Sequence, residues 1–351
     1  MDSVSSTSSR VFDDRPPGLV YLENLISRRD GGEVLPRSDD LNDLSGLYLS
    51  GIDLSRLDLS GVNLSRAEMV GCNLAGTRLV GADLTYCIAQ RVDLSGCELM
   101  GADLTGADLT NARIERAGVG RVKAHGTSFF GAVCRYSTFT GADLLDADFR
   151  ASDLSGARMR DVSLRNADLE GADLTEVDLS GSDVHGASLR AVMLARAHLR
   201  DVSGYTSADW IGADVGEVNF TGAWLLRRHV QDANFIAEFR RQSKTHEVIY
   251  RLWWATSDCG RSLVRWGLWT VSVALLYSWL YTLVGVEWGT TKTWLSPVYY
   301  SVVTFTTLGY GDVLPGSASA QALAMSQVVL GYFSLGAMMS ILADKMARRA
   351  G

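Results

Sequence analysis

From Leu44 to Leu199 a hydrophobic residue returns at every fifth position. The series runs Leu49, Leu54, Leu59, Leu64, Met69, Leu74, Leu79, Leu84 and on through Leu104, Leu109, Phe129, Phe139 and Phe149. The register holds for 32 consecutive five-residue words, with Ala89, Val119, Ala124 and Cys134 as its weaker positions. Two residues before each of these stands a small or short residue, such as Ala82, Ala102, Ala107, Ala142 or Ala172, with Cys72, Cys87 and Cys97 in the same slot. A period of five matches neither the 3.6-residue helical turn nor the two-residue alternation of a flat strand. Two inward positions per short, fixed word predict a solenoid. At "RDVSGYTSADW" the phase slips by one residue, predicting a bulge in one coil, and the register resumes on Trp210, Val215, Phe220, Leu225, Val230 and Phe235.

Near residue 235 the pattern changes. Trp266 to Val286 is a run of 21 residues without a charge, about 32 Å as a helix and enough to cross a bilayer. A second uncharged run extends from Val313 to Ala343; Pro315 and Gly316 interrupt it early, so its helix is predicted from Ser317 to just before Asp344. Between the two lies "SPVYYSVVTFTT", a short helix capped by Ser296 with Pro297 in its first turn. It is predicted to end near Thr306, where "TLGYGD" turns back. Irregular backbone at membrane depth is tolerated where it lines a polar path, and Gly309 and Gly311 can take left-handed angles that let successive carbonyls face one axis.

Charge follows the same division: net −11 up to residue 235 and +4 after it. Seven of the nine tryptophans crowd into residues 253–294, as at a membrane interface. Arg261 and Arg265 precede the first span and Lys345, Arg348 and Arg349 follow the second, whereas the loop between holds one basic residue, Lys292. Both ends are therefore expected in the cytosol. The basic, amphipathic stretch from Phe239 to Trp266 reads as a helix lying on the inner membrane surface, or as a rigid linker. No segment carries Arg at every third position, so no voltage sensor is expected.

The opening "MDSVSSTSSR" has no apolar core of a cleavable signal and is expected to be a disordered tail. Leu19, Leu22, Leu25 and Ile26 are at helical spacing and would cap the first coil. Five cysteines without C-x-x-C spacing are expected to be reduced, buried thiols, and no histidine pair has metal-ligand spacing. With no catalytic constellation, no enzyme is expected.

"GADLTGADLT", Gly101 to Thr110, is two copies of one word, and residues 42–236 resemble the pentapeptide-repeat family. That resemblance implies an all-β, right-handed quadrilateral β-helix with four words per coil, roughly nine coils and about 45 Å tall at the usual ~4.8 Å spacing. The residue before each central Leu would face outward and is often acidic, as at Asp53, Asp83, Asp103, Asp108, Asp143, Asp173 and Asp178. Such stripes read as an ordinary solvated face, as a divalent-ion site, or as the DNA mimicry by which some relatives inhibit topoisomerases. No nucleic acid is expected as a partner here.

"TTLGYGD", Thr306 to Asp312, between two spans resembles the selectivity filter of potassium channels, with Leu308 in place of the common Val. The resemblance implies a homotetramer in membrane lipid, with K⁺ as permeant ion and no organic cofactor. K⁺ would be held by filter carbonyls of Thr307, Leu308, Gly309 and Tyr310, with the Thr307 hydroxyl and Gly311 completing the strand. Thr306 and Asp312 flank it, Tyr299 and Tyr300 match the aromatic pair that packs around Tyr310, and Val303 stands where some relatives carry a Glu bonded to the Asp. Asp312 must then find another partner. Gly331 and Gly336 match inner-helix glycines that bend or pack closely, and Tyr332, Leu335, Met339 and Ala343 fall on one face that would line the cavity and inner constriction.

The expected division is a tail and cap (1–41), the pentapeptide-repeat β-helix (42–236), an amphipathic interfacial linker helix (237–265), an α-helical pore domain with two spans and a re-entrant pore loop (266–345), and a short tail (346–351). The whole reads as a K⁺ channel in the plasma or inner membrane of a prokaryote. Its β-helix would control assembly or gating, or would dock an unidentified cytosolic partner. The alternative is a membrane-anchored pentapeptide-repeat binding protein.

Overall fold

The computed structural model describes residues 22–23, 26–27, 30–31, 43–260, 262–289 and 292–350, and the chain divides into two compact units between Ala237 and Glu238. The N-terminal "MDSVSSTSSR", Leu19 and Leu25 lie outside the described residues; Leu22 is buried and Ile26 packs on the same core, as expected of a cap.

The first unit is a solenoid. Parallel bridges join each outward residue to the one twenty positions ahead, Asp43 to Asn63, Tyr48 to Glu68, Asp53 to Asn73 and Asp58 to Arg78, and so on in four ladders of eight bridges each. Beyond the slip the offset becomes 21, as in Ser188 to Asp209, and the extra residue is absorbed near Gly204. The expected bulge is there.

Each word turns a corner at the second residue after its central Leu. All 32 corners from Gly46 to Asp201 have positive φ, and 16 of them are glycine, which takes that angle without steric cost. The interior is filled by the two predicted positions per word, Ala82 with Leu84 and Ala102 with Leu104 among many buried pairs. Where the small slot is polar its hydroxyl is satisfied by backbone: Thr77 Oγ1 donates to Leu54 O at 2.7 Å and Thr127 Oγ1 to Leu104 O at 2.6 Å. Phe129 and Phe149 stack one coil apart at 4.4 Å, with Phe139 edge-on to both.

The acidic stripes have a local cause. Oδ1 of Asp53, Asp83, Asp103 and Asp173 each accepts the backbone N–H two residues on, at 2.9–3.0 Å. Asn63 and Asn73 make the same bond from the same slot, so the slot selects a short side chain with an acceptor oxygen, not a charge. Among the described residues no group of three or more His, Cys, Asp or Glu is placed to hold a metal.

The last three predicted words do not form a coil. Helix α1, Trp224–Gln242, begins inside that stretch; Leu226 and Val230, four apart on one helical face, close the core, while Leu225 and Phe235 are 52% and 59% exposed. Asn234 covers the open edge, accepting from Gly212 N at 2.8 Å and donating to Ala213 O at 3.3 Å. A solenoid end needs its unpaired backbone covered, and a helix does this where a tenth coil would only renew the edge.

The expected single linker helix is broken twice. After α1 comes α2, Lys244–Ser257, capped by the Ser243 side chain. Asp258, Cys259 and Gly260 then all take positive φ. Arg240 holds the first corner through two bonds to Glu247 and lies 4.4 Å from the Tyr250 ring centre. Helix α3 is Leu263–Tyr281, α4 Ser296–Phe305 and α5 Ala318–Ala350, which runs through Asp344 rather than stopping before it. Leu295, not Ser296, is the residue before α4, and the Ser296 hydroxyl instead accepts from Thr293 N at 2.8 Å. A two-residue antiparallel pair, β1 (Val286–Glu287) with β2 (Leu314–Pro315), ties the loops together.

Four cysteines are buried in the coils and Cys259 is half-buried at the α2–α3 corner; none of the five is in a disulfide. Burial pushes the Cys87 and Cys97 thiols up to about 12. Cys259 corrects the expectation of five buried thiols.

Candidate functional site

Helix α4 stops at Phe305 because the backbone changes hand. Thr307, Gly309 and Gly311 have φ of +58, +54 and +78°, with Leu308 and Tyr310 between them on the ordinary side. Alternating hands along a strand turn successive peptide carbonyls to one side. Among the described residues, the carbonyls of Thr307, Leu308, Gly309 and Tyr310 accept no hydrogen bond from the chain. Four adjacent unpaired acceptors are costly away from water unless a cation or solvent meets them. The C-terminal end of α4, with its partial negative charge, is next to them.

The segment is held from both sides. Leu308 N donates to Val303 O at 3.0 Å and Thr307 N to Thr304 O at 3.1 Å. The Thr306 hydroxyl turns back to Val302 O at 2.8 Å. Val303 thus contributes its carbonyl while its side chain is buried. At the far end the Tyr299 hydroxyl donates to Asp312 Oδ2 at 2.8 Å, and the Tyr299 and Tyr310 rings lie parallel with centres 6.5 Å apart. Asp312 has found its partner.

The aromatic pair is split. Tyr300 packs not on Tyr310 of its own chain but on Tyr281, at 4.7 Å, and Trp288, at 6.4 Å, in a core shared with Val313. Adjacent residues near the start of a helix point about 100° apart, so the two tyrosines serve different surfaces.

Beneath the segment is a buried polar cluster that periodicity does not reveal. Tyr281 donates to Gln327 Oε1 at 2.7 Å, and Gln327 Nε2 donates to Ser301 O and Oγ at 3.1 and 2.7 Å. Ser301 Oγ passes on to Ala274 O at 2.6 Å, so α3, α4 and α5 are joined at one point. The available signal was Gln327 itself, an amide inside an uncharged run. Gly289 was also missed: at φ +69°, a β-carbon there would stand 2.6 Å from Asp312 O.

On α5, a β-carbon at Gly331 would collide with Phe305 O, whereas Gly336 faces open space. Gly331 is therefore a point of close approach between α5 and the end of α4. Tyr332, Leu335 and Met339 are 63%, 55% and 56% exposed in the single chain, and Ala343 is exposed as well. Helices Leu263–Tyr281 and Ala318–Ala343, of 19 and 26 residues, are long and apolar enough to cross a membrane, with only 6% and 17% of their apolar windows buried within the chain.

Residues 267–348 match the family model described as ion channel, and the pentapeptide-repeat model matches in eight copies within 43–116 and 127–203. The chain thus joins pentapeptide repeats to an ion-channel domain, and with its two apolar helices it is a membrane protein. Among solved structures it is similar to a trypsin-treated variant of QnrB1, a plasmid-mediated fluoroquinolone resistance protein. That match has 21% identity over 54% of this chain and 97% of the other, with a TM-score of 0.40. It is also similar to HetL, a pentapeptide repeat protein involved in heterocyst differentiation regulation from the cyanobacterium Nostoc sp. Strain PCC 7120, at 26% identity over 56% and 95%, TM-score 0.25. No curated protein matches the chain.

Proposed function

We propose that this fusion of pentapeptide repeats and an ion-channel domain is a K⁺-selective channel of four chains, with each chain's segment 306–312 forming one quarter of the filter. The single observation that carries the reading is the alternation of positive φ at Thr307, Gly309 and Gly311, which leaves four successive carbonyls unpaired. Four such strands around one axis replace the hydration shell of K⁺. The segment then re-enters the membrane from the outer face on α4 and returns through Asp312 to α5, with both termini in the cytosol. The coils are read as a right-handed, square β-helix. Tyr332, Leu335, Met339 and Ala343 line the inner cavity, and the repeats control assembly or opening without touching selectivity, since residues 296–312 build the filter.

The test is flux into liposomes loaded with K⁺ or Na⁺. The full chain should pass K⁺ in strong preference, and Gly309→Ala should abolish that preference, since a β-carbon there meets no other part of its own chain within 4 Å but is strained by the +54° backbone angle. Unchanged preference in Gly309→Ala would remove the filter assignment. Deleting residues 1–237 should keep selectivity while changing open probability or tetramer yield; a truncated chain with unaltered assembly and gating makes the repeats a docking module instead.

A further inference from the structure

We propose that an apolar groove between α2 and the two spans holds one acyl chain of an anionic membrane phospholipid. It rests on the membrane-spanning reading, not on ion selectivity. The groove has a volume of about 750 Å³ and is walled by Leu252 and Trp253 of α2, Trp269 and Val273 of α3, and Phe333 and Ile341 of α5. Four of the five hydroxyl residues that line it are engaged within the chain. Thr256 and Ser257 donate to Leu252 O and Trp253 O, Thr270 donates to Trp266 O, and Ser334 pairs with Thr270. A lining that is largely apolar, with its hydroxyls mostly spent on the chain itself, suits hydrocarbon better than a polar ligand.

The occupant follows from what lies on either side. The bonds from Trp266 Nε1 to Ser334 O, at 3.1 Å, and between Thr270 and Ser334, at 3.0 Å, close α3 against α5 and separate this groove from a second one of about 520 Å³. The second contains Thr306, Thr307, Tyr332 and Leu335, the surface on which neighbouring chains would meet around a filter. The first groove therefore faces away from that assembly, toward lipid.

Its α2 wall belongs to residues 239–265, which carry six basic residues against two acidic. Arg265 lies over the Trp254 ring at 5.6 Å from its centre and reaches Asp258 at 3.6 Å, and Arg251 reaches Glu247 at 3.2 Å, yet their side chains remain half and three-quarters exposed. That excess attracts an anionic headgroup. At its inner end the groove reaches Phe305, the last residue of α4, which lines both grooves. An acyl chain there bears on the residue from which the 306–312 segment departs, so occupancy should support conduction.

The full chain in phosphatidylcholine vesicles, doped with brominated phosphatidylglycerol, tests this through the intrinsic fluorescence of Trp253, Trp266 and Trp269, which line the groove. Brominated phosphatidylglycerol should quench more than brominated phosphatidylcholine at the same fraction, the excess saturating and being displaced by unbrominated phosphatidylglycerol. Ala337→Phe and Ser340→Leu, which fill the groove from α5, should each lose the excess, keep the bulk quenching and lower K⁺ flux. Equal quenching by the two lipids, or an excess that survives both substitutions, overturns the proposal. If both lipids quench equally while the filled variants also lose oligomers, the groove belongs to a second copy. A chain that does not float with the vesicles overturns the membrane reading itself.

Discussion

The Tyr299 hydroxyl donates a 2.8 Å hydrogen bond to Asp312 Oδ2, clamping the first turn of α4 to the residue that ends the Gly-Tyr-Gly segment. A bond to a charged acceptor across thirteen residues closes a loop whose middle has almost no other internal bond. The ring beneath it stacks on Tyr310, so one side chain braces two points of the segment.

Tyr299→Phe keeps that stacking and removes the clamp. K⁺ flux in liposomes should start near the wild-type rate and decline faster as the segment loses its shape. Asp312→Asn should be milder, because an amide oxygen still accepts from the hydroxyl. A faster decline in Asp312→Asn than in Tyr299→Phe would mean that charge at Asp312, not the clamp, sustains conduction.

Gln327→Leu should destabilise the channel unit by about 1–3 kcal/mol, the cost of stranding a buried hydroxyl at Tyr281. Tyr281→Phe in the same chain removes the stranded group, so the double variant should cost less than the two single changes added together. Thermal inactivation of K⁺ flux and oligomer yield both read this. Simple additivity would show that the cluster does not act as a unit.

Gly101→Ala and Gly106→Ala separate two costs of a corner. Gly101 has φ +70° and no atom within 4 Å of its β-carbon site, so alanine there pays backbone strain alone, about 1–2 kcal/mol. At Gly106 the β-carbon would also stand 2.5 Å from the Tyr86 ring. Its variant should melt lower by circular dichroism, and adding Tyr86→Ser should bring it back to the Gly101→Ala level. Two variants melting alike would mean that Tyr86 swings away without cost.

Acid should leave the repeat unit intact until the carboxylates titrate. The Arg150 guanidinium beside Asp148 holds its carboxyl below the usual range. At Asp153 and Asp178, burial opposes ionisation but is outweighed by bonds from Ser155 with Arg135, and from Ser180 with Arg160. A folded-state pKa below the unfolded one contributes stability that is complete above the ordinary aspartate value of about 3.9 and is lost as pH falls through the lowered value. The melting temperature of the repeat unit should therefore be flat from pH 7 to about 5 and fall only below about 4. A loss between pH 6 and 5 would mean that these carboxylates do not set the acid limit of the repeat unit.

The five-residue register determined the coil, its slip and its inward residues without reference to any distant part of the chain, because each word repeats the same local choice between a buried and an exposed slot. The two apolar helices and the alternation of flexible Gly309 and Gly311 around Tyr310 are local in the same sense, although the exact helix ends are not. Where the solenoid ends was not legible: Leu225 and Phe235 keep the period yet stand exposed on α1, because ending depends on what covers the last edge rather than on the next word. The Asp slots looked like charge and proved to be turn chemistry, visible only once Oδ1 is seen on the N–H two residues ahead. Tyr299 and Tyr300 are neighbours in sequence and go to Asp312 and Tyr281, respectively. Gln327 meets Tyr281 across 46 residues and Gly331 meets the Phe305 carbonyl across the packing of two helices. No periodicity encodes these pairings, since each depends on the relative placement of whole helices, and only tertiary packing decides that.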